Sequence, residues 1–181
     1  MLRNILTKKL FEKPTSVAKL ENAVFTADEI SHIYELPFKL TLDVKLSAFQ
    51  FKINHNILYT KSRLFRERIT ENDKCFLCSG IQTLVHLFVD CDFTTIFWID
   101  FTSWWNCKNS RQIRLQQHDI LYAFHPGKQS FLGINYCLLV ARNSIKISAK
   151  NEDPFCFNSF LTFLKNKRGK DKKRIRDLVT L

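Results

Sequence analysis

Glycine and proline are scarce in this sequence, four of each in 181 residues. A chain with so few backbone punctuators and 45% hydrophobic residues is neither disordered nor of low complexity. It has the makings of a helix-rich core, and its length suffices for one domain with extensions. No continuous apolar stretch follows Met1, so no secretory leader is read there. The longest apolar runs, such as Tyr136–Ala141, are far too short to span a bilayer. These absences favour a reducing intracellular setting over secretion or membrane spanning. Clustered cysteines there hold metal rather than disulfides. Internal repeats are also lacking.

Positive charge is missing from one place in particular. The formal net charge is +11, yet no Lys or Arg falls between Cys75 and Cys107, where Asp90, Asp92 and Asp100 stand. The positive charge flanks that segment, and residues 142–181 hold eleven Lys or Arg against four Asp or Glu. Phe, Lys, Asn and Ile are all abundant, with seventeen Phe. A biased genome also produces such usage, so basicity alone does not identify a nucleic-acid binder.

The segment without cations holds four residues of one chemistry. Cys75-x2-Cys78-x7-His86-x4-Cys91 supplies three thiolates and one imidazole. That is a full set for one tetrahedral zinc, with no position left for a substrate water. The CxxC pair at a tight turn lets two sulfurs face one ion. Thr83 then caps a short helix with Leu84, Leu87 and Phe88 on one side and His86 on another. Cys91 lies about one and a half helical turns beyond His86, so an ion would clamp a turn to a helix end. A lone CxxC arises often by chance; the nearby H-x4-C half, followed at once by an aromatic helix, makes this pattern specific. The seven residues between Cys78 and His86 set it apart from the retroviral-type knuckle, which has four. The site reads as structural. Cys107, Cys137 and Cys156, each among apolar neighbours, read as ordinary buried thiols.

Taken in order, residues 1–40 read as a helical lead-in and 41–106 as the zinc-binding core. Residues 107–164 form the C-terminal helical part of the same domain, and 165–181 a basic tail. Pro14 stops a first helix, Thr15 or Ser16 caps a second, and Glu35-Leu36-Pro37 ends it. Leu42, Leu46, Phe49, Ile53 and Ile57 mark an amphipathic helix opened by Thr41 or Asp43, with a solvated His55 on its polar side. Thr60 or Ser62 caps a shorter helix with Arg63, Arg66 and Arg68 outward. Asp92 caps a helix bearing Phe93, Phe97, Phe101 and Trp104 on one face. Trp98, Trp104 and Trp105 either stack on bases or, as their helical spacing favours, pack in the core. Lys108–Gln117 reads as a loop, Ile120–Phe124 as a short apolar element and His125–Lys128 as a turn, with His118 and His125 exposed. A long helix, Phe131–Lys150, is buried along its first half and carries a basic stripe of Arg142, Lys146 and Lys150. Asp153-Pro154 opens a last helix with Phe157, Phe160, Leu161 and Leu164. Lys165, Lys167, Arg168, Lys170, Lys172, Lys173, Arg174 and Arg176 then form a frayed solvated tail, a phosphate-binding arm or a nuclear import signal.

Cys75-x2-Cys78, His86-Leu87-Phe88-x2-Cys91 and Phe97-Trp98 together resemble the zinc-binding region C-terminal to the reverse transcriptase of non-LTR retrotransposons. Ile33-Tyr34-Glu35-Leu36-Pro37-Phe38 is similar to its helical lead-in, as are Asp43-x-Lys45-Leu46-x2-Phe49-Gln50-Phe51-Lys52-Ile53 and Ile57-Leu58-x-Thr60. Gly133-Ile134-Asn135-Tyr136 and Phe160-x2-Phe163-Leu164 are similar to its closing helices. The resemblance spans about residues 15–165. It implies a structural Zn²⁺, RNA or DNA as partner, a reverse transcriptase domain in the parent polyprotein, and no small-molecule substrate. Two departures stand out. Val85 precedes the ligand His where members often carry an acid, and Gln82-Thr83 replaces a Glu-Thr-type pair, which implies looser support of that ligand. There is also no Tyr/Phe-x-Asp-Asp palm motif, no Asp set for two Mg²⁺ ions and no endonuclease domain. The likeness is thus to the tail of an element-encoded polyprotein, as a fragment or a separate reading frame.

The expected fold is mainly α, a helical domain around one Cys3His zinc, with a short irregular or hairpin turn at Cys75–Cys78. The expected function is a non-catalytic nucleic-acid-binding module in a nuclear or cytoplasmic ribonucleoprotein. Its phosphate contacts would come from Arg63/Arg66/Arg68, Arg142/Lys146/Lys150 and Lys165–Arg176. The alternatives are a scaffold packed against a polymerase and a decayed fragment without activity. Enzymatic chemistry is disfavoured: four protein ligands leave no Lewis-acid position, and no nucleophile–base or carboxylate pair stands out.

Overall fold

The computed structural model describes residues 25–110 and 112–175, with side chains as far as Lys167. The expected break at Pro14 and cap at Thr15 or Ser16 lie outside these residues, as does Arg176. The first described helix, α1 (Ala27–Leu40), opens with a capping box, the Thr26 hydroxyl accepting from Glu29 N–H and the Glu29 carboxylate from Thr26 N–H. Pro37 does not end this helix; it sits buried inside it. A proline there cannot donate to the carbonyl four residues back. The amide of Asn54 does so instead, Nδ2 reaching the Ile33 carbonyl at 3.2 Å. Asn54 Oδ1 in turn accepts from Gln50 Nε2, which also donates to the Leu121 carbonyl at 3.0 Å.

Asp43 caps α2 (Val44–Asn54), its carboxylate accepting from the N–H groups of Lys45 and Leu46. Leu46, Phe49 and Ile53 of the expected stripe are buried. Its two ends, Leu42 and Ile57, lie beyond the helix and are exposed. His55 is half-buried between the rings of Tyr34 and Phe51 at 5.1 and 4.1 Å, rather than solvated. Thr60 caps the short α3 (Lys61–Arg66).

Beyond the cysteine segment come α4 (Asp92–Lys108), the one-and-a-half-turn α5 (Gln117–Leu121), the central α6 (Leu132–Asn151) and α7 (Phe157–Ile175). Helix α6 is buried without interruption from Gly133 to Arg142, and α1, α2, α5 and α7 all pack on it. The rings of Phe97, Phe101 and Trp104 meet Phe157 and Phe160 of α7, with Phe97 and Phe160 edge-to-face at 5.4 Å. Trp98 and Trp105 are buried and Trp104 packs against the same core, as their spacing favours. Phe93 does not share that face and is exposed. His125 is exposed as expected, while His118 is half-buried.

Asp153-Pro154 does not open the last helix. Glu152 turns left-handed at φ 58°, the Asp153 N–H bonds back to the Ser148 carbonyl, and α7 starts only at Phe157. The helix then runs on to Ile175, so the first eleven residues of the expected tail continue it. Cys137 is buried as expected, but Cys107 and Cys156 are exposed. Among the described residues there is no strand beyond one isolated bridge, and no described helix is long and apolar enough to cross a membrane.

Candidate metal centre

The cysteine segment is held by its own backbone hydrogen bonds. Cys75 N–H bonds to the Gly80 carbonyl at 2.7 Å, and Ser79 N–H returns to the Cys75 carbonyl at 2.9 Å. Ser79 takes a left-handed φ of 60°, and Lys74 bridges antiparallel to Ile81. The CxxC turn is thus a hairpin reduced to one bridge. Gln82, buried, fastens it to α3: its carbonyl accepts from Ser62 N–H and its side-chain Oε1 from Lys61 N–H at 3.1 Å. Thr83 caps the next turn as expected, its hydroxyl accepting from His86 N–H at 3.0 Å.

From His86 to Asp90 the helix widens to a π-turn, closed by Cys91 N–H on the His86 carbonyl at 3.1 Å. In an α-helix, residues five apart point about 140° from each other. The i→i+5 bond of a π-turn brings them toward one side. His86 and Cys91 therefore both face the hairpin, while Leu87 and Phe88 between them are buried in the core. Cys91 also occupies the N-cap position of α4, where Asp92 was expected.

The ligand atoms of Cys75, Cys78, His86 and Cys91 all lie within 4.8 Å of one another. Cys78 Sγ stands 3.2 Å from His86 Nε2 and 3.7 Å from Cys91 Sγ. A tetrahedral site with metal–sulfur bonds of about 2.3 Å has sulfur–sulfur edges of about 3.8 Å, whereas a disulfide draws two sulfurs to about 2.05 Å. The spacing fits a shared cation, and all six cysteines are free thiols.

Burial, the largest influence on both inner thiols, pushes that of Cys91 up to about 12. At Cys75 the N–H groups of Leu77 and Cys78, together with the thiols of Cys78 and Cys91, outweigh burial and lower the pKa. Three thiols this close cannot all ionise unaided; a dication bound among them would reverse that balance and would cross-link hairpin and helix. Gly80 completes the cradle, because a Cβ there would stand 2.8 Å from His86 Cε1.

The comparisons with known proteins fall on this same segment. Residues 16–98 match the family described as zinc-binding in reverse transcriptase. The matched segment contains Cys75, Cys78, His86 and Cys91 and ends on Trp98, within α4. The matched family is a zinc-binding part of reverse transcriptases and not their polymerase. No curated protein and no solved structure matches the chain.

The candidate phosphate contacts differ in burial and in the partners they already hold. Arg142 is a correction: it is 1% exposed, wedged in the core with Nη1 donating to the Ile120 carbonyl at 2.7 Å. Burial alone draws its pKa down to about 9, and it presents nothing to a phosphate. Lys146 donates to the Tyr59 carbonyl at 2.6 Å, which leaves Lys150 as the exposed member of the expected stripe. Arg63 is held by Glu67 at 2.8 Å and the Asn56 carbonyl at 3.1 Å, whereas Arg66 and Arg68 are exposed. Lys165 is exposed, and Lys167 pairs with Asp43 at 2.6 Å. Arg168, Lys170, Lys172, Lys173 and Arg174 continue α7. The residues that sequence reasoning missed are Gly80 and Asn54, and it read Gln82 only as a departure from the family pattern and not as the tie to α3. Only Gly80 left a signal, as one of four glycines placed two residues after a ligand.

Proposed function

We propose that this chain is a non-catalytic module in which Zn²⁺, held by Cys75, Cys78, His86 and Cys91, fastens a helical domain that binds RNA or DNA beside a reverse transcriptase of the non-LTR retrotransposon kind. The observation that carries the reading is the convergence of three thiols and one imidazole inside the family match. Three sulfurs and one nitrogen suit zinc above harder cations, and four protein ligands suit a structural ion. Nucleic-acid binding is supported by exposed Arg66, Lys150 and Lys165, on three helices, and by exposed Arg68 in the turn after α3, in a chain with net charge +11. Such side chains grip phosphates and not base edges, so the binding is largely independent of sequence.

Two measurements test the two halves. Elemental analysis of protein purified without added metal should give one zinc per chain, lost together with helicity and melting temperature in Cys75→Ser and His86→Ala. No zinc, with variants that fold normally, refutes the metal half. If six phosphates are engaged, log K should fall against log salt with a slope of about −5 on duplex DNA, and a slope near zero refutes the binding half. Neutralising Lys165–Arg176 separates this reading from a scaffold, because unchanged RNA binding would favour the scaffold.

A further inference from the structure

Tyr59 is an aromatic side chain turned to solvent from a connector that is otherwise fixed. It stands between α2 and α3, where Leu58 and Thr60 on either side are buried while Tyr59 is 51% exposed. The Tyr59 carbonyl accepts from Lys146 Nζ at 2.6 Å, which ties the connector to α6. The Arg63 guanidinium lies over the ring, its central carbon 5.5 Å from the ring centroid. Arg63 is itself held by Glu67 at 2.8 Å and the Asn56 carbonyl at 3.1 Å. Further cations stand close by. Lys150 lies one turn beyond Lys146 on α6, and Arg66 shares the Arg63 face of α3; both are exposed. Lys61 pairs at 2.7 Å with Glu152, which is left-handed at the end of α6. Burial, and after it the Lys150 ammonium, draw the Lys146 pKa below its ordinary value. Neither of these two lysines has a carboxylate within salt-bridge distance among the described residues. The acids here are Glu67, Glu152 and the exposed Asp153. The first two are engaged by Arg63 and Lys61, in partly exposed pairs of the kind that hold weakly.

We infer that Tyr59 is the stacking platform of a site for single-stranded nucleic acid, with one base against the ring and the flanking phosphates on Lys150, Arg66 and Lys61. This rests on the nucleic-acid reading above and adds the place and the strand form. Cations alone would serve a bare anion, with no need of an aromatic. A duplex keeps its bases stacked on one another, whereas an unpaired base offers a π-face to an exposed ring. Ring and guanidinium together make a composite surface on which any base stacks, so the site tolerates sequence. Because Lys146 and Arg63 hold the residue beforehand, little freedom is lost when a base arrives. An anionic membrane attracts the same lysines, but sinking this ring into it would drag the Arg63 guanidinium after it.

The probe is a labelled oligothymidylate of about 12 nucleotides, set beside its duplex with oligoadenylate and titrated into the full chain by fluorescence anisotropy. Tyr59→Leu keeps an apolar side chain and removes the π-face. It should weaken single-strand binding about tenfold and duplex binding by less than about twofold, with zinc content and melting temperature at wild-type values. Tyr59→Phe should bind the single strand as wild type does. Lys150→Gln should lower the salt slope on the single strand by about 0.7. Undiminished single-strand binding by Tyr59→Leu, or an equal loss on both probes, overturns this inference and leaves the nucleic-acid reading standing. A wild-type chain that binds neither probe overturns both. An unchanged slope in Lys150→Gln also overturns the inference, and that lysine lies on another helix, so the test stands even if the leucine variant does not fold. Loss of phosphatidylserine-vesicle binding in Tyr59→Leu, with oligothymidylate binding intact, assigns the ring to a membrane and overturns it as well.

Discussion

Gly80→Ala should separate the stability of the metal-loaded protein from that of the metal-free protein. The glycine is not needed for its backbone angle, so alanine carries no strain there and by itself stabilises a fold by about 0.4–1 kcal/mol through the unfolded chain. The obstacle is the His86 ring, whose Cε1 would stand 2.8 Å from the new Cβ, with Cys78 Sγ at 3.5 Å. Ordinary contact begins at 3.4 Å, so the ring must recede by about 0.6 Å, the difference of those two distances. Metal–ligand distances tolerate about 0.2 Å, a third of that displacement. Without metal the imidazole is free to swing, and the variant should melt at or slightly above wild type. With metal the imidazole is pinned, and zinc affinity should drop by about 10- to 100-fold, the usual cost of disturbing a ligand's support. The assay is a chelator competition for zinc, paired with thermal melts in zinc and in excess chelator. Unchanged zinc affinity, or a melting loss equal in both conditions, would refute the geometry.

Other consequences follow from the core and the surface. Asn54→Leu should cost about 1–3 kcal/mol in urea unfolding by orphaning the Ile33 carbonyl, and adding Pro37→Ala should recover much of it, because residue 37 regains the N–H that α1 lacks there. Arg142→Met should leave the salt slope of nucleic-acid binding unchanged, whereas Arg66→Ala should reduce it by about one. The hydrogen bond from Lys167 holds the Asp43 carboxyl below its usual range. A depressed acid stabilises above its unfolded pKa and stops doing so as pH falls through its folded value. Asp43→Asn, which keeps the helix cap, should therefore cost up to about 1 kcal/mol from pH 5 upward and nothing once pH falls well below about 4, as followed by chemical denaturation.

The Cys3His cluster was legible because its chemistry and spacing are local: four residues of two types, three Cys and one His, fall within seventeen positions. The helices were legible from apolar periodicity, and α2, α4 and α6 lie near their expected places. What failed was whatever depended on a distant partner. Pro37 reads as a terminator until Asn54, on another helix, supplies the missing donor. Arg142, Lys146 and Lys150 are one stripe by period, but α5 covers its first member and the Tyr59 carbonyl engages its second. Asp153-Pro154 carries the right residues for a helix start, yet the left-handed turn at Glu152 and the Ser148 carbonyl commit Asp153 to the preceding helix. Sequence fixes which residues share a face, and only packing decides what that face meets.

The π-turn joins the proposed metal site and the core in one more way. Trp98 Nε1 donates at 2.6 Å to the carbonyl of Phe88, a residue of that turn lying between two of the ligands. The indole is buried, and its ring lies 4.9 Å from Phe97 and 5.5 Å from Phe101. Loss of the cross-link would relax the turn and release this hydrogen bond, so the emission of Trp98 should shift as metal leaves. The chain thus carries its own optical gauge of occupancy, readable in a fluorimeter without any dye and traceable to one side chain by Trp98→Phe.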